Sequence, residues 1–429
     1  MKKTTDSQGL SRRTLLKGSA ALAGLAGTTA LSGLAAPAVH AAEPVTLRYL
    51  GTAVNQSTDI AKKVKADLGI NIHYVPQTTD EVTKRIITQP NSFDLVDVEY
   101  FALPELVPAG TLMGMDAKKI KLADEITSVL TKGTIDDKKI GSQGTAPFKV
   151  FYREGKYSKK FASKPTEWLS LIPTTYNADS LGYRPDLTGG TITHWKSLLD
   201  PKFKGKTALI NIPSIGIMDA AMAIESSGLI KYGDKGNQTK AEIDKTIDIL
   251  IKAKKAGQFR AFWSDFNESV NLMASGEVIL QSMWSPAVTA VRSKGIKCSY
   301  ATLAEGYRGW CSGFALPRTL KGKQEAAAYE FINWFLSGWA GAYLSRQGYY
   351  PAVISTAKKF MKPYEWAYWY EGQPATKDIH APNGSLIEKV GAVRDGGSYE
   401  TRMSHIACWN SVMDNNQYLI TKWNQFIAA

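Results

Sequence analysis

Strand and helix patterns alternate from residue 45 onwards, and this alternation limits the folds that the chain can adopt. Apolar and polar residues alternate over 45–50 and 70–74, and a short apolar run follows at 93–98. Two segments with helical spacing of apolar residues separate these strand patterns, and Gly69 ends the first of them. This order of strands and helices predicts right-handed crossovers and a parallel sheet covered by helices.

The same pattern restarts further along the chain. Apolar strand patterns at 207–212 and 278–283 enclose a helical stripe that Gly257 ends. A strand pattern at 313–317 precedes another apolar helical stripe, and we interpret the later aromatic cluster at 364–370 as packing. The sequence therefore predicts an α/β protein with two units, each a mixed or parallel sheet flanked by helices.

The first 41 residues have the features of an export signal. Arg12 and Arg13 end a polar, basic leader, a weakly apolar run occupies 18–34, and small residues lead to Ala41. This pattern predicts a twin-arginine signal peptide over 1–41 that is cleaved after Ala41. The alternative is a membrane anchor, but the run is marginal for a hydrocarbon core of ~30 Å. We therefore expect the mature chain in the bacterial periplasm.

Charge and cysteine content narrow the possible functions further. The formal charge is +13, but the lysines are scattered as on solvated helix faces, so no nucleic-acid partner is expected. Three cysteines, Cys298, Cys311 and Cys408, allow at most one disulfide, and the sequence leaves open whether any forms. Small buried apolar side chains are the favoured interpretation of these cysteines.

Motifs of catalysis and metal binding are missing from the sequence. There is no nucleophile elbow, no zinc-protease motif and no phosphate-binding loop. The four histidines beyond residue 41 have no pair at ligand spacing. We therefore predict no enzymatic activity, no catalytic residues, no cofactor and no metal site.

Aromatic residues instead lie near the ends of predicted strands. Tyr100 follows one strand and Trp284 another, while Trp310 precedes a third and Tyr349 follows the helix after it. Ligands of open α/β sheets bind outside the carboxyl ends of the strands. Two units that face each other with these ends form a cleft, in which aromatic side chains bind alkyl chains or cations.

Six short segments, taken in order, carry a resemblance to a known family. The segments are 93–96, 174–179, 195–206, 273–278, 313–317 and 348–351. Together they resemble the solute-binding proteins of ABC importers, in the group of the spermidine/putrescine receptors. The resemblance implies a two-lobed periplasmic-binding-protein fold of type II, with a hinge near Tyr176 and Gly313 and the ligand in the interlobe cleft. The lobe boundaries expected from it are 43–176 with 313–350 for lobe 1, and 177–312 with 351–429 for lobe 2.

The resemblance also implies ligand-binding residues and shows where this chain differs. Trp284, Trp310 and Tyr349 fall where the family has aromatic residues that grip the ligand. The family's aspartate two residues past the second tryptophan falls on Ser312, and its aromatic loop after the first strand contains Thr52 here. The acidic pair after the second-lobe strand falls near 211–215, where this chain has no carboxylate.

A buried ammonium group needs a carboxylate or several carbonyl groups around it. Glu99, Asp265 and Glu268 are the predicted replacements for the family's acids. Tyr100 lies beside the first of them. Backbone N–H groups near Ser214, at a predicted helix start, would suit a carboxylate of the ligand. We therefore favour a zwitterionic nitrogen compound over spermidine.

The resemblance implies a periplasmic substrate-binding component of an ABC importer for a small nitrogenous solute, either polyamine-like or a zwitterionic amine or amino-acid derivative. Its expected partners are this ligand and an inner-membrane ABC permease, and the protein is expected to be a monomer. One alternative is a ferric-ion receptor, because adjacent tyrosines such as Tyr349 and Tyr350 can be phenolate ligands. A further alternative is a periplasmic enzyme or a chemoreceptor ligand module.

Overall fold

The computed structural model of the chain describes residues 44–429, so the predicted signal peptide and its cleavage site lie outside the described residues. The strands are β1 Thr46–Gly51, β2 Asn71–Pro76, β3 Leu95–Glu99, β4 Met115–Asp116, β5 Thr134–Ile135, β6 Lys138–Lys139, β7 Gln143–Gly144, β8 Trp168–Leu169, β9 Ile172–Tyr183, β10 Thr207–Ile210, β11 Phe259–Trp263, β12 Leu280–Met283, β13 Ser299–Tyr300, β14 Tyr307–Ala315, β15 Tyr350–Pro351, β16 Ile379–His380, β17 Leu386–Glu388 and β18 Ile406–Trp409.

Helices alternate with the strands of the two predicted α/β units. The second unit also contains β11, which the sequence analysis did not predict, and the helix Pro213–Ser226, of which it predicted only the start near Ser214. The α-helices are α1 Thr58–Leu68, α2 Thr79–Thr88, α3 Leu103–Ala109, α4 Ser128–Thr131, α5 Pro185–Thr188, α6 Pro213–Ser226, α7 Lys240–Lys255, α8 Phe266–Ser275, α9 Ser285–Arg292, α10 Gly322–Leu336, α11 Trp339–Ser345, α12 Ile354–Lys358, α13 Pro363–Trp369, α14 Tyr399–Ser404 and α15 Asn416–Ala428. Short 3₁₀ helices occupy Tyr100–Ala102, Ala117–Lys119, Ala123–Glu125, Pro147–Lys149, Trp195–Leu199 and Pro201–Phe203.

One sheet contains two parallel units that antiparallel strands connect. Its strand order is β11–β10–β12–β9–β14–β3–β1–β2. β1 is parallel to β2 and β3, and β10 is parallel to β11 and β12, as the two predicted α/β units require. Between the units, β9 runs antiparallel to both β12 and β14, and β14 runs antiparallel to β3.

The connecting strands β9 and β14 carry the two predicted hinge residues. β9 has twelve residues and β14 has nine, and every one of them is buried. Tyr176 lies on β9, and Gly313 on β14 pairs with Pro173. A Cβ atom at Gly313 would lie 2.8 Å from the carbonyl oxygen of Ile172, so the close approach of the two strands here requires glycine.

Apolar side chains form separate clusters on the two sides of these strands. The first cluster contains the residues of β1 and β3 and also those of α13 and β16, whereas the second contains α6, α7 and α15. The sequence analysis assigned all of 351–429 to lobe 2. In the structure the buried apolar residues of 352–406 pack with the first cluster, and we therefore propose that the chain passes to lobe 2 close to β18.

The packing resolves the interpretation of the cysteines. The three cysteines are free and buried, as their interpretation as small apolar side chains predicted. Within 44–429, none of the helices is long and apolar enough to cross a membrane.

A segment that we call the strap, residues 371–398, reaches from the first cluster to α9. It contains the hairpin of β16 and β17 and contacts the end of α9 through charged side chains. Arg292 donates to Glu388 Oε1 at 2.5 Å and also to Asp395 Oδ2. These three side chains are only 15–22% exposed, so the contact is a largely buried ion triad. The triad holds α9 against the strap.

We expect Arg292→Met to lower the free energy of unfolding by about 3 kcal/mol, because it leaves two largely buried carboxylates without their cation. Urea denaturation monitored by tryptophan fluorescence measures this loss. The matched control is Arg260→Met, which removes an exposed pair with Glu277 and should cost less than about 1 kcal/mol. Equal losses for the two variants would contradict the structural role of the triad.

Candidate ligand-binding site

Polar side chains alternate along the two strands that connect the parallel units. Arg308 pairs with Asp179, and Trp310 pairs with Asn177, in the register of β14 and β9. Directly paired residues of antiparallel strands project to the same face of the sheet. Arg308, Trp310 and Asp179 therefore lie on one face, at the position where the two α/β units meet.

Arg308 is the cation of a buried charge cluster at this position. Its Nε donates to Asp219 Oδ1 at 2.6 Å, and its Nη1 donates to Asn410 Oδ1 at 2.6 Å. Its Nη2 lies 3.4 Å from Asp179 Oδ2. The side chains of Arg308, Asp179 and Asp219 are at most 2% exposed, so solvent contributes little to their stabilisation.

Glu99 adds a third carboxyl group at the edge of this cluster. It is half-buried at the end of β3, where it pairs with Ser312 of β14. Asn410 Nδ2 donates to Glu99 Oε2 at 3.4 Å, and the same amide accepts from Arg308 through its oxygen. Asn410 therefore links the third carboxyl group to the guanidinium.

Burial raises the pKa of all three carboxyl groups. The pKa of Asp179 is raised to about 6 by burial, although the Arg308 guanidinium opposes the rise. The pKa of Glu99 is raised to about 7 by burial, against the hydrogen bond from Asn410. Burial also raises the pKa of Asp219, again against Arg308. Three carboxyl groups thus share one guanidinium, and the cluster favours an additional positive charge.

Two buried polar atoms beside Arg308 make no hydrogen bond. Asp179 accepts from Tyr300 through Oδ1 at 3.2 Å, whereas its Oδ2 has no hydrogen-bonding partner. Trp310 Nε1 is also buried, and it lies near enough to Asp179 to act as a weak donor that lowers the pKa of this carboxyl group, but it does not reach full hydrogen-bonding geometry. Buried polar atoms are normally hydrogen-bonded. The indole N–H and the carboxylate group therefore satisfy each other only weakly, and Asp179 Oδ2 keeps hydrogen-bonding capacity.

Aromatic rings surround this part of the sheet. Trp310 and Tyr349 form an edge-to-face pair with centroids 5.9 Å apart. Trp284 precedes α9 and packs edge-to-face on Trp263 with centroids 4.9 Å apart. The start of α9 approaches the turn before Tyr349, because a Cβ atom at Gly348 would lie 3.4 Å from Ser285 Oγ. The start of α9 is therefore near Tyr349, whereas the ring of Trp284 packs with the apolar cluster around Trp263.

Ser312 belongs to a second buried polar network. Its hydroxyl hydrogen-bonds with Thr174 at 3.1 Å and with Thr175 at 3.2 Å. Asn55 donates to Thr174 Oγ1 at 3.0 Å and to Asp97 Oδ2 at 2.6 Å. Burial raises the pKa of Asp97 to about 6, against the hydrogen bond from Asn55. Ser312 thus already has hydrogen-bonding partners within the protein.

The remaining predicted site residues lie at different places in the structure. Thr52 is half-buried directly after β1, and Ser214 is buried in the first turn of α6. Tyr100 is a core residue that donates to the carbonyl oxygen of Leu171 at 3.2 Å. Asp265 is exposed and caps α8, where it accepts from the backbone N–H of Glu268 at 2.9 Å. The side chains of Tyr100 and Asp265 therefore serve core packing and helix capping.

The predicted group consisting of Glu99, Trp310, Ser312 and Tyr349 lies on or beside the central strands. The sequence analysis missed Asp179, Asp219 and Arg308, and it expected few acids in the site. A signal for them was available, because Arg308, Trp310 and Ser312 alternate along β14 and Asp219 interrupts the apolar stretch 215–224 of α6. Such isolated charges inside apolar elements are buried only when they are paired.

The ferric-ion alternative finds no support in these residues. Within 44–429, no three histidine, cysteine, aspartate or glutamate side chains are arranged to hold a metal ion. The two tyrosines that were the suggested ligands contact different partners, with Tyr349 against Trp310 and Tyr350 against Tyr176 and Tyr399.

Comparison with known proteins gives a consistent result. The family model of bacterial extracellular solute-binding proteins matches residues 59–367. The curated spermidine/putrescine-binding periplasmic protein 1 of Haemophilus influenzae is 27% identical over 190 residues, which are 44% of this chain and 49% of that protein. The chain thus matches about half the length of this curated relative.

Solved structures share the fold at low sequence identity. The spermidine/putrescine ABC transporter substrate-binding protein of Streptococcus pneumoniae has a TM-score of 0.59 and 15% identity, covering 89% of this chain and 99% of that one. The periplasmic binding protein AgtB of A. tumefaciens R10, solved with agropinic acid, has a TM-score of 0.57 and 15% identity, covering 90% of this chain and 99% of that one. These likenesses confirm the predicted two-lobed periplasmic-binding-protein fold.

Proposed function

The chain belongs to the bacterial extracellular solute-binding protein family, and we propose that it is the periplasmic receptor of an ABC importer for a small nitrogenous solute with a cationic group. Membership in this family agrees with the predicted binding function and with the predicted lack of enzymatic activity. Polyamine-like compounds and zwitterionic amines or amino-acid derivatives belong to the proposed ligand class. The chemoreceptor and enzyme alternatives have no such support.

The buried charge cluster is the observation that carries this proposal. Asp179, Asp219 and Glu99 share the single guanidinium of Arg308, and Asp179 Oδ2 has no hydrogen-bonding partner. An ammonium group placed against Asp179 would supply the missing positive charge and the missing hydrogen bond at once. The faces of Trp310, Tyr349 and Trp284 would bind the cation or the alkyl part of the ligand.

The proposed mechanism uses the two strands that connect the lobes. Movement of the lobes about β9 and β14 would close them over the ligand, and the closed form would mark the loaded state for an inner-membrane permease. The relatives support both parts of the ligand class, because one is named for spermidine and putrescine and another was solved with agropinic acid. The monomeric state stays a prediction.

We expect simple amines to raise the melting temperature by mass action, and their affinity to depend on pH. An ammonium group binds the ionised form of Asp179 and Glu99, whose pKa values in the free protein are raised to about 6 and about 7. Binding should release protons, and affinity at pH 5 should be about tenfold or more below that at pH 8, since one pKa unit corresponds to a factor of ten. Isothermal titration calorimetry at both values measures this ratio.

The control for this experiment is Asp179→Asn, which keeps the shape of the side chain but removes its charge. The variant should bind amines more weakly and with less dependence on pH. A panel of amines, amino acids and opine-like conjugates that gives no thermal shift would count against the receptor proposal. An unchanged pH dependence in Asp179→Asn would contradict the role of this carboxyl group.

The aromatic residues give a second test of the same site. Replacing Trp284 or Trp310 with Ala should weaken ligand binding by ~1–3 kcal/mol, as expected for the loss of a buried aromatic or cation–π contact. Calorimetric titration measures the loss, and circular dichroism checks that the fold is kept. Tyr100→Phe is the matched control, because it changes an aromatic residue of the core. If the control loses as much affinity as the tryptophan variants, the tryptophans have no specific role.

We also propose export through the twin-arginine pathway. Changing both Arg12 and Arg13 to Lys should leave the precursor inside the cell, because the translocase recognises the arginine pair. Cell fractionation followed by immunoblotting shows the distribution of precursor and mature protein. The matched control is Lys2→Arg and Lys3→Arg, which changes basic residues of the same leader. Normal amounts of periplasmic protein from the Arg12 and Arg13 variant would argue against this pathway.

A further inference from the structure

Arg308 holds a place in the site that a ligand cation would otherwise take. The guanidinium lies between Asp219 and Asp179, and both carboxylates are almost completely buried. Two buried carboxylates near each other need a positive charge between them, because repulsion and desolvation both disfavour their ionised forms. In this chain that charge is part of the protein.

The contacts of Arg308 leave one carboxylate oxygen of the buried pair for a ligand. Both oxygens of Asp219 face the guanidinium, with Oδ1 at 2.6 Å from Nε and Oδ2 at 3.5 Å from Nη2. Asp179 uses Oδ1 for Tyr300 and keeps Oδ2 without a hydrogen bond, 3.4 Å from Nη2. One free oxygen can serve one ammonium group.

A residue that is not part of the carboxylate pair, Asn410, helps to fix the orientation of the guanidinium. Asn410 accepts from Nη1 at 2.6 Å, and its own amide nitrogen donates to Glu99. Arg308 lies on a central strand of the sheet with all parts of its side chain buried. Its position is therefore set by the protein alone, before any ligand binds.

We propose that Arg308 is a specificity-determining residue, a built-in cation that leaves one carboxylate oxygen of the buried pair, Asp179 Oδ2, for a single ligand ammonium. The receptor accordingly selects solutes with one buried ammonium end, such as monoamines and zwitterions, over linear diamines. This inference rests on the proposed function and names the substrate class of the same site. Trp310 Nε1, the unsatisfied donor beside Asp179, suits an acceptor group on such a solute.

The test compares three probes with the same four-carbon chain, namely 1-aminobutane, 4-aminobutanoate and 1,4-diaminobutane. Arg308→Ala removes the cation and leaves space for a second ammonium, whereas Arg308→Met removes the cation but fills the space. We expect the affinity for 1,4-diaminobutane relative to 1-aminobutane to rise by about tenfold or more in the alanine variant and to stay near the wild-type ratio in the methionine variant. Calorimetric titration of all three proteins gives the ratios.

An unchanged ratio in Arg308→Ala, or an equal rise in Arg308→Met, would overturn the proposal. This outcome differs from failure of the proposed function, in which wild-type protein binds none of the three probes. Even in that case the experiment decides the proposal about Arg308. Binding of 1,4-diaminobutane by Arg308→Ala but not by the wild-type protein supports the proposal, and absence of binding by Arg308→Ala refutes it.

The alanine variant has two unpaired buried carboxylates and could fail to fold. In that case a refolding experiment replaces the titration. The variant is refolded in the presence of methylguanidinium, and urea is the uncharged control of similar shape. Recovery of folded protein with methylguanidinium but not with urea supports a vacated cation site. Recovery with neither compound, or with both, rejects it.

Discussion

The pairing of β9 with β14 decides both how the two α/β units join and which side chains meet between them. The two strands run antiparallel between sheets that are otherwise parallel. A slip of one residue in this pairing would move Arg308 and Trp310 to the opposite face of the sheet. The charge cluster, the aromatic pair and the connection between the units therefore depend on one register.

The charges that this register brings together are not explained by stability alone. Replacing a buried ion group with apolar residues of similar volume is often neutral or stabilising. In the Arg292 triad both carboxylates, Glu388 and Asp395, accept hydrogen bonds from the arginine. In the cluster around Arg308, by contrast, Asp179 Oδ2 makes no hydrogen bond. An arrangement of this kind is reasonable where a cationic ligand completes it.

Periodicity predicted the outer parts of the fold better than its centre. The alternation at 45–50 became β1, and Gly69, with φ of 69°, ends α1 as expected. β14 was predicted only from Gly313 onwards, but it begins at Tyr307. Arginine, glycine and serine within this strand conceal its pattern, since their burial depends on partners elsewhere in the chain. Local secondary-structure propensity does not include such tertiary contacts.

The candidate site was also only partly predictable, because the burial of its charged residues depends on partners elsewhere in the chain. Trp310 and Tyr349 were found from their positions near strand ends, and they do form a pair. Asp219 was missed, although it is the only charged residue among the eleven buried residues of α6. A buried aspartate in an apolar helical stretch requires a cation, and a buried strand arginine flanked by a tyrosine and a glycine requires an anion. Each residue therefore implies an oppositely charged partner that its own segment lacks. Pairing such residues from different segments would have indicated the cluster from the sequence.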